Sequence, residues 1–244
     1  MNDHTEVTYG EALFWDEFRT YESRCNPAEL AQCREWNGYL KHVPYIFCLS
    51  EAPDSLSQWR AYSADGAGVA IGIDTAVLNL QQAAPAIRVS PSSTTVLCKV
   101  DYEEARQREI IQQYLREKFP ITDNEQISID DLSEGIQGYK GRAATMKSAA
   151  FAEEREWRIV HSPLITFNDD TPGKFFNSNL KFDHRVSGGL VQSHFELPLP
   201  PNFLKSITLG PKCKIVDWDL FTFLWTQNYP TSNVNILRSS ASYR

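Results

Sequence analysis

Apolar residues along this chain recur at two spacings, and the switches between them divide the sequence into elements. Between 6 and 35, apolar and aromatic residues stand at helical spacing in polar text, with Leu13, Phe14, Phe18 and Tyr21 along one side. Asn26 followed by Pro27 has the form of an N-cap with proline at the first helical position, which predicts a second helix. A short apolar run, YIFCLS at 45–50, reads as a strand, and Leu56, Trp59 and Tyr62 mark a helical turn after it. A glycine turn at 65–68 leads to a strand at 69–74, and further strands are predicted at 96–102, 180–185, 189–197 and 206–211. Helices are predicted at 103–118, at 142–150 and around 217–226, with Ser128 capping a short acidic helix and the apolar residues of the tail adding an edge strand.

The stretch 151–160, FAEEREWRIV, departs from any simple pattern because it crowds three carboxylates and two guanidiniums beside a tryptophan. If 154–160 is extended, alternation places Glu154, Glu156 and Arg158 on one face and Arg155, Trp157 and Ile159 on the other. The two carboxylates then stand roughly 7 Å apart. That separation raises the proton affinity of one of them while Arg158 holds the other ionised. Such a face suits a glycosidic carbon that becomes oxocarbenium-like. The competing reading is a set of solvated salt bridges flanking a tryptophan that plugs the core.

Composition narrows the field. The 244 residues suffice for a substantial core, and 42% hydrophobic with 23% charged residues is ordinary for a globular protein. A single domain over 1–244 is expected: a helical segment to 44, a sheet core with helices over 45–226, and a tail from 227. A net charge of −7 argues against general binding of nucleic acid or anionic membrane. No apolar run reaches membrane-spanning length and the first residues lack a signal pattern, so a cytoplasmic location is expected. Five scattered cysteines without a CxxC pair indicate free thiols and no zinc ribbon, with Cys48 read as a small buried hydrophobe. Asp130, Asp131 and Glu134 lack the pattern of a calcium loop and read as helix N-terminal charges, so no metal site is expected.

Three groups of residues together resemble one family. The strings YIFCLSE at 45–51, DSLSQWRAY at 54–62 and GVAIGID at 68–74 are similar to the central motif of the bacterial domain-of-unknown-function family 2971. Lys147, Phe151 and EREWR at 154–158 resemble its second motif, and ITLGP at 207–211 its third. Members of that family usually open with a strand carrying His-Tyr-Thr-Ser and a helix, which have no counterpart here, so the chain resembles a shortened member. The family's layout in turn resembles that of ADP-ribosyltransferases, by analogy of fold.

That resemblance implies an α+β fold of mixed, mainly antiparallel twisted sheets with flanking helices, an ADP-ribosyltransferase-like core lacking its first strand. It also implies NAD as the cofactor. Glu156 would stabilise the oxocarbenium-like transition state and Glu154 would activate or orient the acceptor. Ser50, Trp59, Arg60, Tyr62, Trp157 and Arg158 would line the NAD pocket, which requires Ser50, Arg60 and Glu156 to converge on one cleft. The implied activity is that of a toxin or phage-defence effector acting on a macromolecular acceptor, with a partner chain able to supply the missing strand. The alternative is a non-catalytic interaction module with the same fold, in which Trp59 and Trp157 plug the core and Arg60 pairs with Glu154 or Glu156.

Overall fold

The structure is a computed structural model, and it describes residues 5–37, 44–85, 94–120, 126–163, 178–229 and 233–242. Contacts divide the chain into two compact units, one built from 1–49 and 81–196 and the other from 50–80 and 197–244. Among the described residues, no helix is long and apolar enough to cross a membrane.

The first unit packs helices on a sheet. Helices α1 (Thr5–Phe18) and α2 (Pro27–Asn37) flank a 3-10 turn, Arg19–Arg24. Asn26 caps α2 as its sequence predicts: its side-chain oxygen accepts the Ala28 N–H at 2.9 Å. Strand β1 (Tyr45–Ser50) stands at the edge of a four-stranded sheet in the order β1-β5-β4-β3, where β3 is Gln81–Gln82, β4 is Thr95–Lys99 and β5 is Glu156–His161. β4 runs antiparallel to β5, with Cys98 opposite Arg158, and parallel to β3. Helices α4 (Glu104–Lys118) and α5 (Ile129–Ala143) pack with α1 around an aromatic core. There Phe14 stacks on Tyr139 at 4.6 Å, and Phe18 meets Phe119 edge-on at 5.7 Å.

The helix expected at 142–150 is not formed. α5 already extends to Ala143, a turn follows, and residues Ala149–Glu154 make a 3-10 helix. The reason lies in the tertiary pairing of that stretch. Lys147 N–H donates to the Asp101 carbonyl and Asp101 N–H to the Thr145 carbonyl, a bridge that a continuous helix could not make. Gln107, fully buried on α4, donates to the carbonyls of both Asp101 and Lys147, at 2.6 and 2.9 Å, and holds the bridge in place.

A separate antiparallel ribbon of β6 (Lys181–Ser187) and β7 (Leu190–Glu196) completes the described part of this unit. Phe195 anchors it, edge-on to Tyr45 at 4.7 Å and to His161 at 4.5 Å.

The second unit holds α3 (Leu56–Tyr62), β2 (Val69–Ile73), β8 (Leu204–Leu209), α6 (Asp217–Thr226) and β9 (Asn235–Arg238). β8 is central, antiparallel to β2 and parallel to β9, so the tail does add the edge strand its apolar residues predict. Leu204, Ile207, Leu209, Leu220, Leu224 and Val234 form its core. The family-like motifs at 68–74 and 207–211 are therefore paired strands. Gly210 donates to the Gly68 carbonyl at 3.0 Å, and a Cβ on Gly210 would stand 2.4 Å from the Gly66 carbonyl oxygen. Only glycine allows that approach. The molecule is thus α+β with mixed, mainly antiparallel sheets.

Candidate functional site

The charged stretch occupies the start of β5. Arg155 adopts a left-handed conformation, φ 46°, and ends the 3-10 helix, so the strand begins only at Glu156. Glu154 consequently belongs to the turn and not to the strand, which corrects the expected three-residue face. Glu156 and Arg158 do share a face by alternation, yet that face points inward: Arg158 is 0% exposed and Glu156 4%. Trp157, a pocket-lining residue on one reading and a core plug on the other, is half-buried on the opposite face, where the Lys99 ammonium lies 5.7 Å from its ring.

A ladder of charges results. Arg158 donates from Nε to Glu156 Oε1 at 2.8 Å and from Nη2 to Oε2 at 3.2 Å, while its Nη1 donates to the Ala144 carbonyl at 2.6 Å. Lys147 Nζ donates to Glu156 Oε2 at 3.1 Å and to Glu154 Oε2 at 2.5 Å. The Glu156 main-chain N–H is taken by the Tyr102 hydroxyl at 3.0 Å. Burial pushes the Glu156 carboxyl up, but hydrogen bonds from Arg158 and Cys48 and the charges of Arg158 and Lys147 outweigh it and hold the group below the usual carboxylate range. Cys48 is thus an exposed thiol donating to Glu156, not the buried hydrophobe expected. Beneath the ladder, Cys98 donates to the Arg158 carbonyl, and burial pushes its thiol up to about 12.

The ladder reaches the surface at one end. Side-chain exposure is 0% at Arg158, 5% at Glu156, 16% at Lys147 and 15% at Glu154. Beside that outer end lies Phe151, 48% exposed, with its ring 5.0 Å from the Lys147 ammonium. Lys147 is the residue that joins the two carboxylates; the family-like motif includes it, but spacing does not show the pairing, because the 3-10 helix Ala149–Glu154 folds Glu154 back toward it and separates it from Glu156. Tyr102 and Gln107 are likewise contributed from other elements.

At the other end of β5, His161 is buried between two hydroxyls, Thr95 Oγ1 at Nδ1 (2.8 Å) and Ser178 Oγ at Nε2 (2.9 Å). Burial pushes its imidazole down to about 4, so the ring is neutral. No carboxylate bonds to it among the described residues, and it acts as a hydrogen-bonding link.

The remaining predicted residues belong to the second unit. Ser50 ends β1, and its hydroxyl accepts the Ala52 N–H at 3.0 Å. Trp59 is 3% exposed, and its indole N–H donates to Asp54 Oδ1 at 2.6 Å. Asp54 is the hub of this region, since it also accepts from the Ser239 hydroxyl and from the Ser240 N–H and hydroxyl. Burial raises its carboxyl, and these hydrogen bonds overcome that and bring it down to about 2. Arg60 and Tyr62 are exposed on α3. Among the described residues, no cluster of His, Cys, Asp and Glu has the makings of a metal site.

Residues 58–159 match the family described as "Protein of unknown function (DUF2971)". The matched span runs from α3 through most of β5 and includes the whole charge ladder except Cys48. No curated protein matches this chain, and no solved structure does.

Proposed function

We propose that the chain is an ADP-ribosyltransferase-like enzyme that uses NAD and acts through the outer end of the charge ladder. The observation that carries this reading is the surface group of Glu154, Lys147 and Phe151, backed by the buried Glu156 and Arg158. A carboxylate fixed at its position by an ammonium, beside an exposed aromatic ring, suits a substrate with a planar base and a sugar carbon that becomes cationic. The family resemblance supplies NAD as that substrate.

NAD contributes the glycosidic bond that breaks and the nicotinamide that leaves with the bonding electrons. Phe151 offers a face for the nicotinamide ring. Glu154 stabilises positive charge on the ribose carbon and takes the proton that the acceptor loses as it bonds to that carbon. Glu156 is here a positioning residue, because both its oxygens are engaged by Arg158 and Lys147 and could serve a ribose hydroxyl only by giving those up. The second reading, a non-catalytic module, is favoured by that same saturation, since a closed set of two anions and two cations is also a way to hold β5 in register.

Nicotinamide release from NAD separates the two. Glu154→Gln and Phe151→Ala should each lower the rate at unchanged melting temperature, whereas Glu156→Gln should lower both. Release by the wild-type protein no faster than by buffer, or equal rates in wild type and Glu154→Gln, would leave the non-catalytic module.

A further inference from the structure

The β6–β7 ribbon has a feature that the reading above does not use. Among the described strands, β6 and β7 pair only with each other. Gly188 and Gly189 both have positive φ, 59° and 79°, so the two-residue turn is of type I′ and Ser187 and Leu190 form the hydrogen-bonded closing pair. Counting back from that pair, the backbone groups of Arg185 and Asp183 face β7, and those of His184 and Val186 face outward. The His184 N–H agrees with this count, for it donates to Asp183 Oδ1 at 2.7 Å and not to β7.

We propose that the outer edge of β6 is a self-recognition surface, on which a second copy of this chain adds its own β6 antiparallel, about a two-fold axis through His184. The charge pattern of the strand selects that partner. About His184, Asp183 falls opposite the second copy's Arg185, and Arg185 opposite the second copy's Asp183. Shifting the axis to Asp183 sets that carboxylate against its own copy and Lys181 against Arg185, and shifting it to Arg185 opposes two guanidiniums. Charged residues on an edge strand ordinarily keep other strands away. An axis through Phe182 also matches signs, Lys181 against the second copy's Asp183, but it pairs only 181–183 of β6, whereas the axis through His184 pairs the whole of Lys181–Ser187 and brings Arg185 into register.

The apolar face agrees with the charges. Val186 is 75% exposed and its cross-strand neighbour Val191 72%. Both lie on the face that carries Phe182 and Phe195, whose rings are 5.1 Å apart. Pairing about His184 sets Val186 opposite the second copy's Phe182, which joins the two apolar halves into one stripe across four strands. On pairing, Asp183 gives up the His184 N–H to the second copy's main chain and takes Arg185 in exchange.

Sedimentation equilibrium over a range of protein concentrations tests the proposal, with far-UV circular dichroism as the check on folding. The wild-type chain should show a dimer, and Asp183→Arg or Arg185→Asp should each weaken self-association about tenfold or more. An equimolar mixture of the two variants should dimerise again, because opposite charges then meet across the axis. A wild-type chain monomeric throughout, a dimer indifferent to either reversal, or a mixture that stays monomeric would each overturn it.

Discussion

Arg158 and Glu156, two residues apart on β5, meet through two hydrogen bonds of 2.8 and 3.2 Å, with neither side chain more than 5% exposed. A buried pair of this kind contributes little over an apolar pair of the same volume, yet losing one partner strands the other's charge away from water. Glu156→Gln and Arg158→Met should each cost about 3–5 kcal/mol. The combination Glu156→Leu with Arg158→Met should cost less than either single change, as read from urea unfolding midpoints.

Acid should weaken the fold in two windows. His161 is held below its ordinary 6.5, at about 4, by burial, so the unfolded chain binds its proton first and stability falls as pH drops between those values. Asp54 is lowered from 3.8 to about 2, so its contribution is complete above the ordinary value and disappears as pH falls through the lower one. Unfolding midpoints against pH should show both slopes, with His161→Gln flattening the upper one and Asp54→Asn the lower.

Thiol chemistry should single out Cys48. Cys25, Cys33 and Cys98 are buried, and Cys98 is further silenced by a thiol pushed up to about 12. Limited alkylation of the native protein followed by peptide mapping should find Cys48 modified before those three. Because that thiol donates to Glu156, its alkylation should also lower the melting temperature, and Cys48→Ala should remove that sensitivity.

Much of this architecture is legible from local pattern. The caps at Asn26 and Ser128, the helices around Trp59 and Ile111, the strands on either side of Gly188 and the strand bearing Leu209 all lie where spacing predicts them. The helix expected over 142–150 fails because Gln107 and Asp101, distant in sequence, offer that backbone better partners. Cys48 departs from the buried position its apolar run predicts for a similar reason, since its thiol answers to a carboxylate on another strand.

Alternation alone puts Glu156 and Arg158 together on one side of a strand, because successive side chains in an extended backbone point to opposite faces. It cannot say that the charged side is buried along with the other. That was decided when Lys147, Tyr102 and the Ala144 carbonyl closed over the charged side and supplied the donors and acceptors that make its burial tolerable. Trp157 is left half outside although Ile159 and His161 on the same face are buried: it stands near the start of the strand, opposite Lys99, whose ammonium lies beside its ring. Periodicity is a property of neighbours in the chain; burial depends on neighbours in space.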